Sequence, residues 1–236
     1  MYIVVEGVDY SGKSTVVKSL TELLTKEGYD VLAVREPGST PLGEDMRELA
    51  FSIDFMAGYA ECVSVISLMM SSRLLLMDRI VEHMKKPNAV VISDRSVITT
   101  FVMQIYPFIQ KYPDRDMESN LLDLFQVFMS AVLRPDMIFI LDQLKNPDDR
   151  QESNQYDEYR KKYPLKEIYA TIAHWGSRYN IEKLPFERGS VIDLLTTFMV
   201  NYFIEEGVSY THRIPDATTE ERLALITDSM HKRNMG

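Results

Sequence analysis

Short apolar segments alternate with longer amphipathic segments along most of the chain. The short segments are rich in β-branched residues, which is typical of strands buried on both faces of a parallel sheet. They predict strands at residues 2–5, 31–34, 89–92, 137–141 and 190–192. The longer segments carry apolar residues at helical spacing. They predict helices near residues 15–27, 42–54, 60–86, 96–106, 117–132, 156–180, 194–206 and 217–232.

This alternation predicts an α/β fold, a three-layer α/β/α sandwich with a five-stranded parallel sheet. We expect a main domain over residues 1–206 and a C-terminal helical extension over residues 207–236. Segments 107–116 and 143–154 are polar or contain proline, and both are predicted to be loops. Ligands of such sheets bind at the carboxyl ends of the strands, so motifs that follow the strands should converge there.

The first predicted strand leads directly into a glycine-rich loop. The loop consists of Gly7, Val8, Asp9, Tyr10, Ser11, Gly12, Lys13, Ser14 and Thr15. It matches the phosphate-binding pattern G-x-x-x-x-G-K-[ST] in full, and a helical pattern follows it. Gly7 and Gly12 let the backbone curl so that its N–H groups point at phosphate oxygens, and the helix N-terminus adds a partial positive charge. Lys13 would reach the β- and γ-phosphates of a nucleotide, and Ser14 would bind Mg²⁺.

Polar motifs also follow the second and third strands. Residues 35–44 read R-E-P-G-S-T-P-L-G-E, which alone predicts a turn into a helix that Thr40 caps. Asp94 and Arg95 come directly after the third strand. Asp94 is placed to hold the water shell of Mg²⁺, and Arg95 can bind a phosphate through two parallel hydrogen bonds. The plainer interpretation of Asp94 and Arg95 is that they only cap the following helix.

Taken together, the three motifs resemble those of the thymidylate kinase family. That family carries E-G-x-D-x-S-G-K-S/T, then R-E-P-G-G-T-P-L-G-E, then D-R-Y-x-x-S-x-x-A-Y-Q, and this chain has similar motifs at residues 6–15, 35–44 and 94–104. The resemblance covers about residues 1–195. It implies a P-loop nucleoside monophosphate kinase that uses ATP and Mg²⁺ to convert dTMP into dTDP. It also implies that loop residues 7–15 bind ATP, and that Ser14 and Asp94 hold the metal.

The resemblance assigns an acceptor pocket residue by residue. The implied set is Asp9, Arg35, Glu36, Pro37, Met69, Arg73, Arg95, Thr99 and Gln104. Within it, Asp9 would lie near the sugar hydroxyl of the acceptor, Arg95 would hold the acceptor's phosphate, and Arg73 would meet the thymine base. Thr99 and Gln104 would line the base pocket.

A lid near residues 143–155 is also implied by the resemblance. Tyr10 stands where some members of the family carry an arginine, and members without that arginine supply one from the lid. Arg150 is therefore the implied catalytic arginine, with Arg160 in reserve. Together with Lys13, Asp9 and Arg95, it would complete the catalytic set.

Several residues depart from the family pattern, so the identity of the acceptor stays open. Met69 stands where the family usually has a phenylalanine that stacks on the base, and Ser96 replaces the tyrosine after Asp-Arg. Ile98 and Phe101 also differ from the usual motif. One alternative is therefore a kinase for another or a modified pyrimidine deoxynucleotide, or for a deoxynucleoside. Another is a non-catalytic module that only binds ATP.

The amino-acid composition narrows the kinds of molecule that the protein would bind and the cellular compartment in which it is expected. The net charge of −9, from 26 basic and 35 acidic residues, argues against a general nucleic-acid-binding protein. The single cysteine, Cys62, excludes an intrachain disulfide and suits the reducing cytoplasm. We expect no apolar run of membrane-spanning length and no leader peptide, and so a cytoplasmic protein without a membrane partner. The family commonly forms homodimers, and the long helix near residues 60–86 is the implied interface.

Overall fold

A computed structural model of the chain describes residues 1–142, 162–163, 165–176, 210–215 and 217–234. Its strands are Tyr2–Glu6 (β1), Asp30–Arg35 (β2), Ala89–Asp94 (β3), Met137–Leu141 (β4) and Tyr210–Ile214 (β5). Its helices are Lys13–Lys26 (α1), Pro41–Ser52 (α2), Tyr59–Met84 (α3), Val97–Thr100 (α4), Tyr106–Lys111 (α5), Arg115–Ser130 (α6), Leu165–Gly176 (α7) and Thr219–Asn234 (α8). One π-helix, Phe101–Ile105, joins α4 to α5.

The five strands form one parallel sheet in the order β2-β3-β1-β4-β5. The first strand is central, with Val5 beside Asp94 of β3 and Glu6 beside Ile140 of β4. The carboxyl ends of β1 and β3 therefore meet at one edge of the sheet. The loop after β1 and the motif after β3 both begin at that edge, as the sequence predicts.

Each face of the sheet is covered by its own apolar core. Tyr2 and Val4 of β1 point into a core that includes α3, the π-helix, α6 and α7. Ile3 and Val5 alternate with them and point into a second core, which α1 and α8 cover. The chain therefore forms the three-layer α/β/α sandwich with a five-stranded parallel sheet that the sequence predicts.

Strand β5 lies in a segment for which no strand is predicted. It is formed by residues 210–214, within the segment predicted to be a purely helical extension, and it pairs with β4 at the edge of the sheet. Its sequence, Tyr-Thr-His-Arg-Ile, is too polar to be recognised as a buried strand. The predicted helix of that segment is confirmed as α8. The predicted strand at 190–192, the helix at 194–206 and the loop at 143–154 lie outside the described residues.

The predicted loop at 107–116 is wrong over most of its length. Helix α5 includes Pro107 and continues to Lys111, and α6 begins at Arg115. Pro107 lies in the first turn of α5, directly after the π-helix, and the helical path continues through it.

Helix α3 is the longest described helix and differs from expectation in one respect. Among the described residues, it alone is long and apolar enough to meet a simple length and composition criterion for crossing a membrane. The expectation that no apolar run reaches this length is therefore wrong. Half of the apolar stretch is buried inside the protein. Its buried side chains, such as Met70 and Ile80, belong to the core under the sheet, as in a core helix of a globular domain.

Candidate functional site

The glycine-rich loop has the curled backbone that a phosphate-binding loop requires. Gly7 has φ 140° and Gly12 has φ 85°, both in the region that favours glycine. A Cβ atom on Gly7 would lie 2.6 Å from the carbonyl oxygen of Leu141, so no larger residue fits. Tyr10 also adopts a positive φ, 64°, which is uncommon for a side chain of this size. Gly12 is the N-cap residue of α1, which begins at Lys13 within the loop.

Lys13 lies under this loop and is almost completely buried. Its ammonium group donates to the carbonyl oxygen of Val8 at 2.7 Å, and the hydroxyl of Ser11 lies 3.5 Å away. Burial and the nearby charge of Arg95 lower the pKa of Lys13 from 10.5 to about 7. A buried cation at a curled loop of this kind is well placed to bind an anion.

Ser14 and Asp94 meet across the edge of the sheet. The Ser14 hydroxyl donates to Asp94 Oδ2 at 2.7 Å. The other carboxylate oxygen, Asp94 Oδ1, is buried and has no hydrogen-bond partner within the described part of the chain. A hydroxyl and a carboxylate oxygen with spare capacity are ligands that Mg²⁺ accepts, with water completing its octahedron. No group of three or more His, Cys, Asp or Glu side chains suited to a metal occurs among the described residues.

Arg95 points into the same cleft. Its guanidinium forms a close ion pair with Asp9 of the loop and donates to the Thr99 hydroxyl at 3.2 Å. Arg95 itself has φ 78°, a conformation that costs free energy and persists where the surrounding structure imposes it. The structure therefore brings together Asp9, Lys13, Arg95 and Thr99, four of the residues assigned by sequence.

A buried hydrogen-bond network around Glu6 connects this cleft to the core of the fold. Glu6, the last residue of β1, accepts hydrogen bonds from the backbone N–H and the hydroxyl of Ser96, both at 2.7 Å. Its other oxygen accepts from the Thr99 hydroxyl at 2.9 Å and from the Tyr169 hydroxyl at 3.2 Å. Burial raises the pKa of Tyr169 well above its ordinary value, so the phenol stays protonated and can donate.

Glu36 and Arg73 form a second buried group. Arg73 Nε lies 3.5 Å from Glu36 Oε2, and both side chains are fully buried. Glu36 Oε1 accepts from the Tyr2 hydroxyl at 2.5 Å, and the Ser93 hydroxyl lies 2.9 Å from it. Burial raises the pKa of Glu36, while Arg73, Tyr2 and Ser93 favour its ionised form.

The guanidinium of Arg73 is engaged on several sides. It donates to the Thr100 hydroxyl at 2.8 Å, to the carbonyl oxygen of Ser96 at 2.7 Å and to that of Met69 at 3.2 Å. A contact between Arg73 and a base stays a prediction, as does stacking by Met69, which is buried in the core.

The other predicted acceptor residues differ in exposure. Arg35 is exposed and pairs with Glu44 at 2.7 Å, whereas Pro37 is buried in the turn after β2. Gln104 is buried in the π-helix, an element that often occurs at functional sites. Arg150 and Arg160, and the lid near 143–155, lie outside the described residues.

Sequence reasoning missed four residues that hold the site together. Tyr2 and Ser93 support Glu36, Tyr169 reaches Glu6 from α7, and Arg222 of α8 donates to the carbonyl oxygen of Ser11 in the loop. Tyr169 and Arg222 are 163 and 211 residues away from their partners, and no local pattern marks either of them.

The fold and this cleft are of the P-loop nucleoside monophosphate kinase type. The family model "Thymidylate kinase" matches residues 5–174. The thymidylate kinase of an Exiguobacterium species is 32% identical over 87% of this chain and 94% of its own length. The chain therefore belongs to the thymidylate kinase family.

Other relatives match over a shorter stretch. The thymidylate kinases of Prosthecochloris aestuarii and Neorickettsia sennetsu are 32% and 33% identical, and the chain covers 61% and 65% of their lengths. Among solved structures, the thymidylate kinase of Ehrlichia chaffeensis has a TM-score of 0.60 and 21% identity, with 98% of each chain covered. That of Candida albicans also has a TM-score of 0.60, with 15% identity over 99% of this chain and 92% of its own. These structural likenesses support the fold.

Proposed function

We propose that this protein transfers the γ-phosphoryl group of ATP to dTMP and so forms dTDP and ADP. The observation that carries the proposal is the convergence of Lys13, the Ser14–Asp94 pair and the Asp9–Arg95 pair at one edge of the sheet. Membership of the thymidylate kinase family supports the same activity.

In this proposal, the loop and Lys13 bind the β- and γ-phosphates of ATP, and Arg95 binds the phosphate of dTMP opposite them. An oxygen of the dTMP phosphate forms a bond to the γ-phosphorus, and the bond from that phosphorus to the β–γ bridging oxygen breaks, so ADP leaves. The acceptor oxygen is already ionised, so no strong general base is needed. Lys13 neutralises charge on the transferred group, and Asp9 orients Arg95 through their ion pair.

Mg²⁺ is the metal that Ser14 and Asp94 would hold. When bound, it supplies charge neutralisation between the β- and γ-phosphates. Asp94 Oδ1, buried and without a hydrogen-bond partner among the described residues, supports this assignment.

The acceptor is tested by measuring ADP release with a panel of nucleotides. The panel contains dTMP, dUMP, dCMP, a 5-substituted dUMP and thymidine, and Lys13→Met serves as the inactive control. We expect dTMP to give the highest kcat/KM. The second candidate is a kinase for another or a modified pyrimidine deoxynucleotide, or for a deoxynucleoside, and the small Ser96 and the unusual Met69 support it. A higher kcat/KM for a substituted dUMP or for thymidine would favour this second candidate. ATP binding without ADP release for any acceptor would contradict kinase activity.

We also propose that Arg150 acts as the lid arginine, with Arg160 as the alternative. Arg150→Ala should lower kcat by about 10³-fold and change the KM for dTMP far less, since such an arginine acts on the transferred group. The same loss in Arg160→Ala, with Arg150→Ala active, would reassign the role.

We further propose a cytoplasmic homodimer. Helices α2 and α3 pack against each other and expose six large apolar side chains, Leu42, Leu49, Phe51, Leu75, Val81 and Met84. Exposed apolar groups on neighbouring helices favour association with a second copy. Sedimentation equilibrium at micromolar concentration should give twice the 27.3 kDa chain mass. A monomer under these conditions would contradict the proposal.

A further inference from the structure

Arg222 connects the C-terminal helix to the phosphate loop. It lies in the first turn of α8, and its side chain is 2% exposed. One end of its guanidinium donates to the carbonyl oxygen of Ser11 at 2.5 Å, and the other donates to the carbonyl oxygen of Asp142 at 3.0 Å. A single buried cation thus holds two backbone carbonyls from distant parts of the chain.

The bond to Ser11 fixes the direction of a loop N–H group. The carbonyl of Ser11 and the N–H of Gly12 belong to the same planar peptide unit, and in a trans peptide they point in opposite directions. The only cis peptide bond in the described chain is Glu36–Pro37, so the Ser11–Gly12 bond is trans. When Arg222 holds the carbonyl oxygen towards α8, the Gly12 N–H must point away from α8, on the side of the loop opposite to Arg222.

The same contact controls charge beside the loop. Carbonyl oxygens carry partial negative charge, and those of Ser11 and Asp142 both lie close to the curl that would receive phosphates. The positive charge of the Arg222 guanidinium offsets the partial negative charge of both carbonyl oxygens. A Cβ atom on Gly12 would lie 3.5 Å from Arg222 Nη1, an ordinary van der Waals contact, so the φ of 85° and not the Arg222 contact is what favours glycine there.

We propose that Arg222 is a positioning residue for ATP. Its guanidinium holds the phosphate loop in the conformation that binds ATP, from the side of the loop opposite to the phosphates. The inference rests on the proposed function, since it deepens the ATP site of that reaction. It also gives the C-terminal segment a role: strand β5 and helix α8 bring a guanidinium to the loop. A planar guanidinium with separate donors can reach both carbonyls at once, whereas a lysine ammonium would reach one.

Arg213 provides a matched control in the same segment. It lies on β5, is exposed, and donates through Nε to the carboxylate of Asp142 at 2.9 Å. Its replacement removes an arginine and an ion pair from the same part of the fold, and no hydrogen bond or ion pair joins Arg213 to the loop within the described residues.

The test measures the affinity of the full chain for ATP with Mg²⁺ and, separately, for dTMP, by calorimetry. We expect Arg222→Met to bind ATP about tenfold more weakly, with the affinity for dTMP within twofold of the wild type. Arg222→Lys should give a smaller loss, and Arg213→Met should bind both nucleotides like the wild type. In turnover, the change should fall on the KM for ATP more than on kcat.

Two results would overturn the inference. One is a folded Arg222→Met variant with wild-type affinity for ATP, and the other is an equal loss of affinity for ATP and dTMP. If Arg222→Met does not fold, Arg222→Lys decides by the same criteria. Failure of the proposed function is distinguishable, because a wild-type protein that binds ATP but transfers no phosphate to any acceptor contradicts that function alone.

Discussion

Two buried cations, Lys13 and Arg73, lie in the two halves of the candidate site and are held in opposite ways. Lys13 contacts neutral oxygens, from Val8 and Ser11, and no carboxylate lies within 4 Å of its ammonium group in the described chain. Arg73 faces the carboxylate of Glu36, and its remaining donors bond to oxygens of the surrounding helices. Lys13 therefore lacks a contacting counter-charge, whereas Arg73 has one in Glu36.

This difference indicates that one cation serves ligand binding and the other serves the stability of the fold. A buried cation without a contacting counter-charge is costly in the free protein, and an anionic ligand relieves that cost. A cation paired with a buried carboxylate contributes to the fold, and the removal of one partner leaves the other charge unpaired. We therefore expect the Lys13 region to determine phosphate binding and the Arg73 region to determine stability and the shape of the acceptor pocket.

Replacement of Lys13 gives the largest expected effect. Lys13→Met keeps much of the aliphatic side chain and removes the charge that would stabilise the transferred phosphoryl group. We expect a loss of about 10³-fold or more in kcat, in line with the removal of other charge-stabilising groups in phosphoryl transfer. ADP release with dTMP as acceptor measures this loss.

Stability provides the control for Lys13→Met. The substitution removes the short hydrogen bond from the ammonium group to the carbonyl oxygen of Val8 and also the cost of burying the charge, so the free energy of unfolding should not fall by more than about 1 kcal/mol. Near-normal turnover in this variant would place the donor site elsewhere. A large fall in stability would mean that Lys13 is a structural residue like Arg73.

Replacement of Arg73 should show the opposite balance. Arg73→Met leaves the Glu36 carboxylate buried without its cation, and we expect the free energy of unfolding to fall by about 3–5 kcal/mol. Urea denaturation measures this change. Arg79→Met is the matched control, because Arg79 lies on the same helix, is exposed, and should contribute less than about 1 kcal/mol.

A double variant identifies the cause of that loss. If the unpaired charge of Glu36 is responsible, Glu36→Gln in the Arg73→Met background should recover part of the stability, since no buried charge remains. A double variant less stable than Arg73→Met alone would show instead that Glu36 stabilises the fold through Tyr2 and Ser93.

The contrast between these two halves also marks how far the sequence could predict the site. The donor loop is a local motif, since Gly7 to Ser14 are contiguous and the physical requirement of each residue can be seen in the pattern. The contact between Ser14 and Asp94 follows from strand topology, because Asp94 ends β3 and Ser14 follows the loop after β1, and both strands end on the same side of the sheet.

Support from distant elements could not be predicted in that way. Tyr169 and Arg222 reach the site from helices more than 160 residues away in the chain, and their positions depend on tertiary packing. The same holds for β5, whose alternation of polar residues at the sheet edge gives no signal of a buried strand. Local periodicity identifies buried strands and amphipathic helices, and it does not identify edge strands or long-range contacts.

Titration of Lys13 gives a smaller, pH-dependent effect. Its pKa is about 7 in the free protein, below the unfolded value of 10.5, and bound phosphates should raise it again. At pH 8, the free protein is therefore mostly deprotonated at Lys13 and the ATP complex is protonated, so ATP binding should take up close to one proton. Calorimetry of ATP binding in two buffers of different ionisation enthalpy measures the uptake. An uptake unchanged in Lys13→Met would assign it to another group.

The same pKa shift affects stability, with a sign that can be stated. Between about pH 7 and pH 10, the unfolded chain binds a proton at Lys13 that the folded protein has lost. The contribution of Lys13 to the free energy of unfolding therefore rises with pH in this window, by up to about 1.4 kcal/mol per unit. The difference between the wild type and Lys13→Met should follow this slope, and it should level off below about pH 7.

Ser96 joins the two halves and gives the smallest expected effect. Its carbonyl oxygen accepts from Arg73, and its hydroxyl and backbone N–H both donate to Glu6 at the base of the phosphate loop. Ser96→Ala removes only the hydroxyl, and the backbone contacts remain. We expect a loss of about 1 kcal/mol in the free energy of unfolding, measured by urea denaturation. The control is Ser64→Ala on the exposed side of α3, where the Ser64 hydroxyl bonds only to its own helix and the change should stay within about 0.5 kcal/mol. A loss above about 3 kcal/mol for Ser96→Ala would mean that the two halves depend on each other through this hydroxyl, and that the support network extends to the phosphate loop.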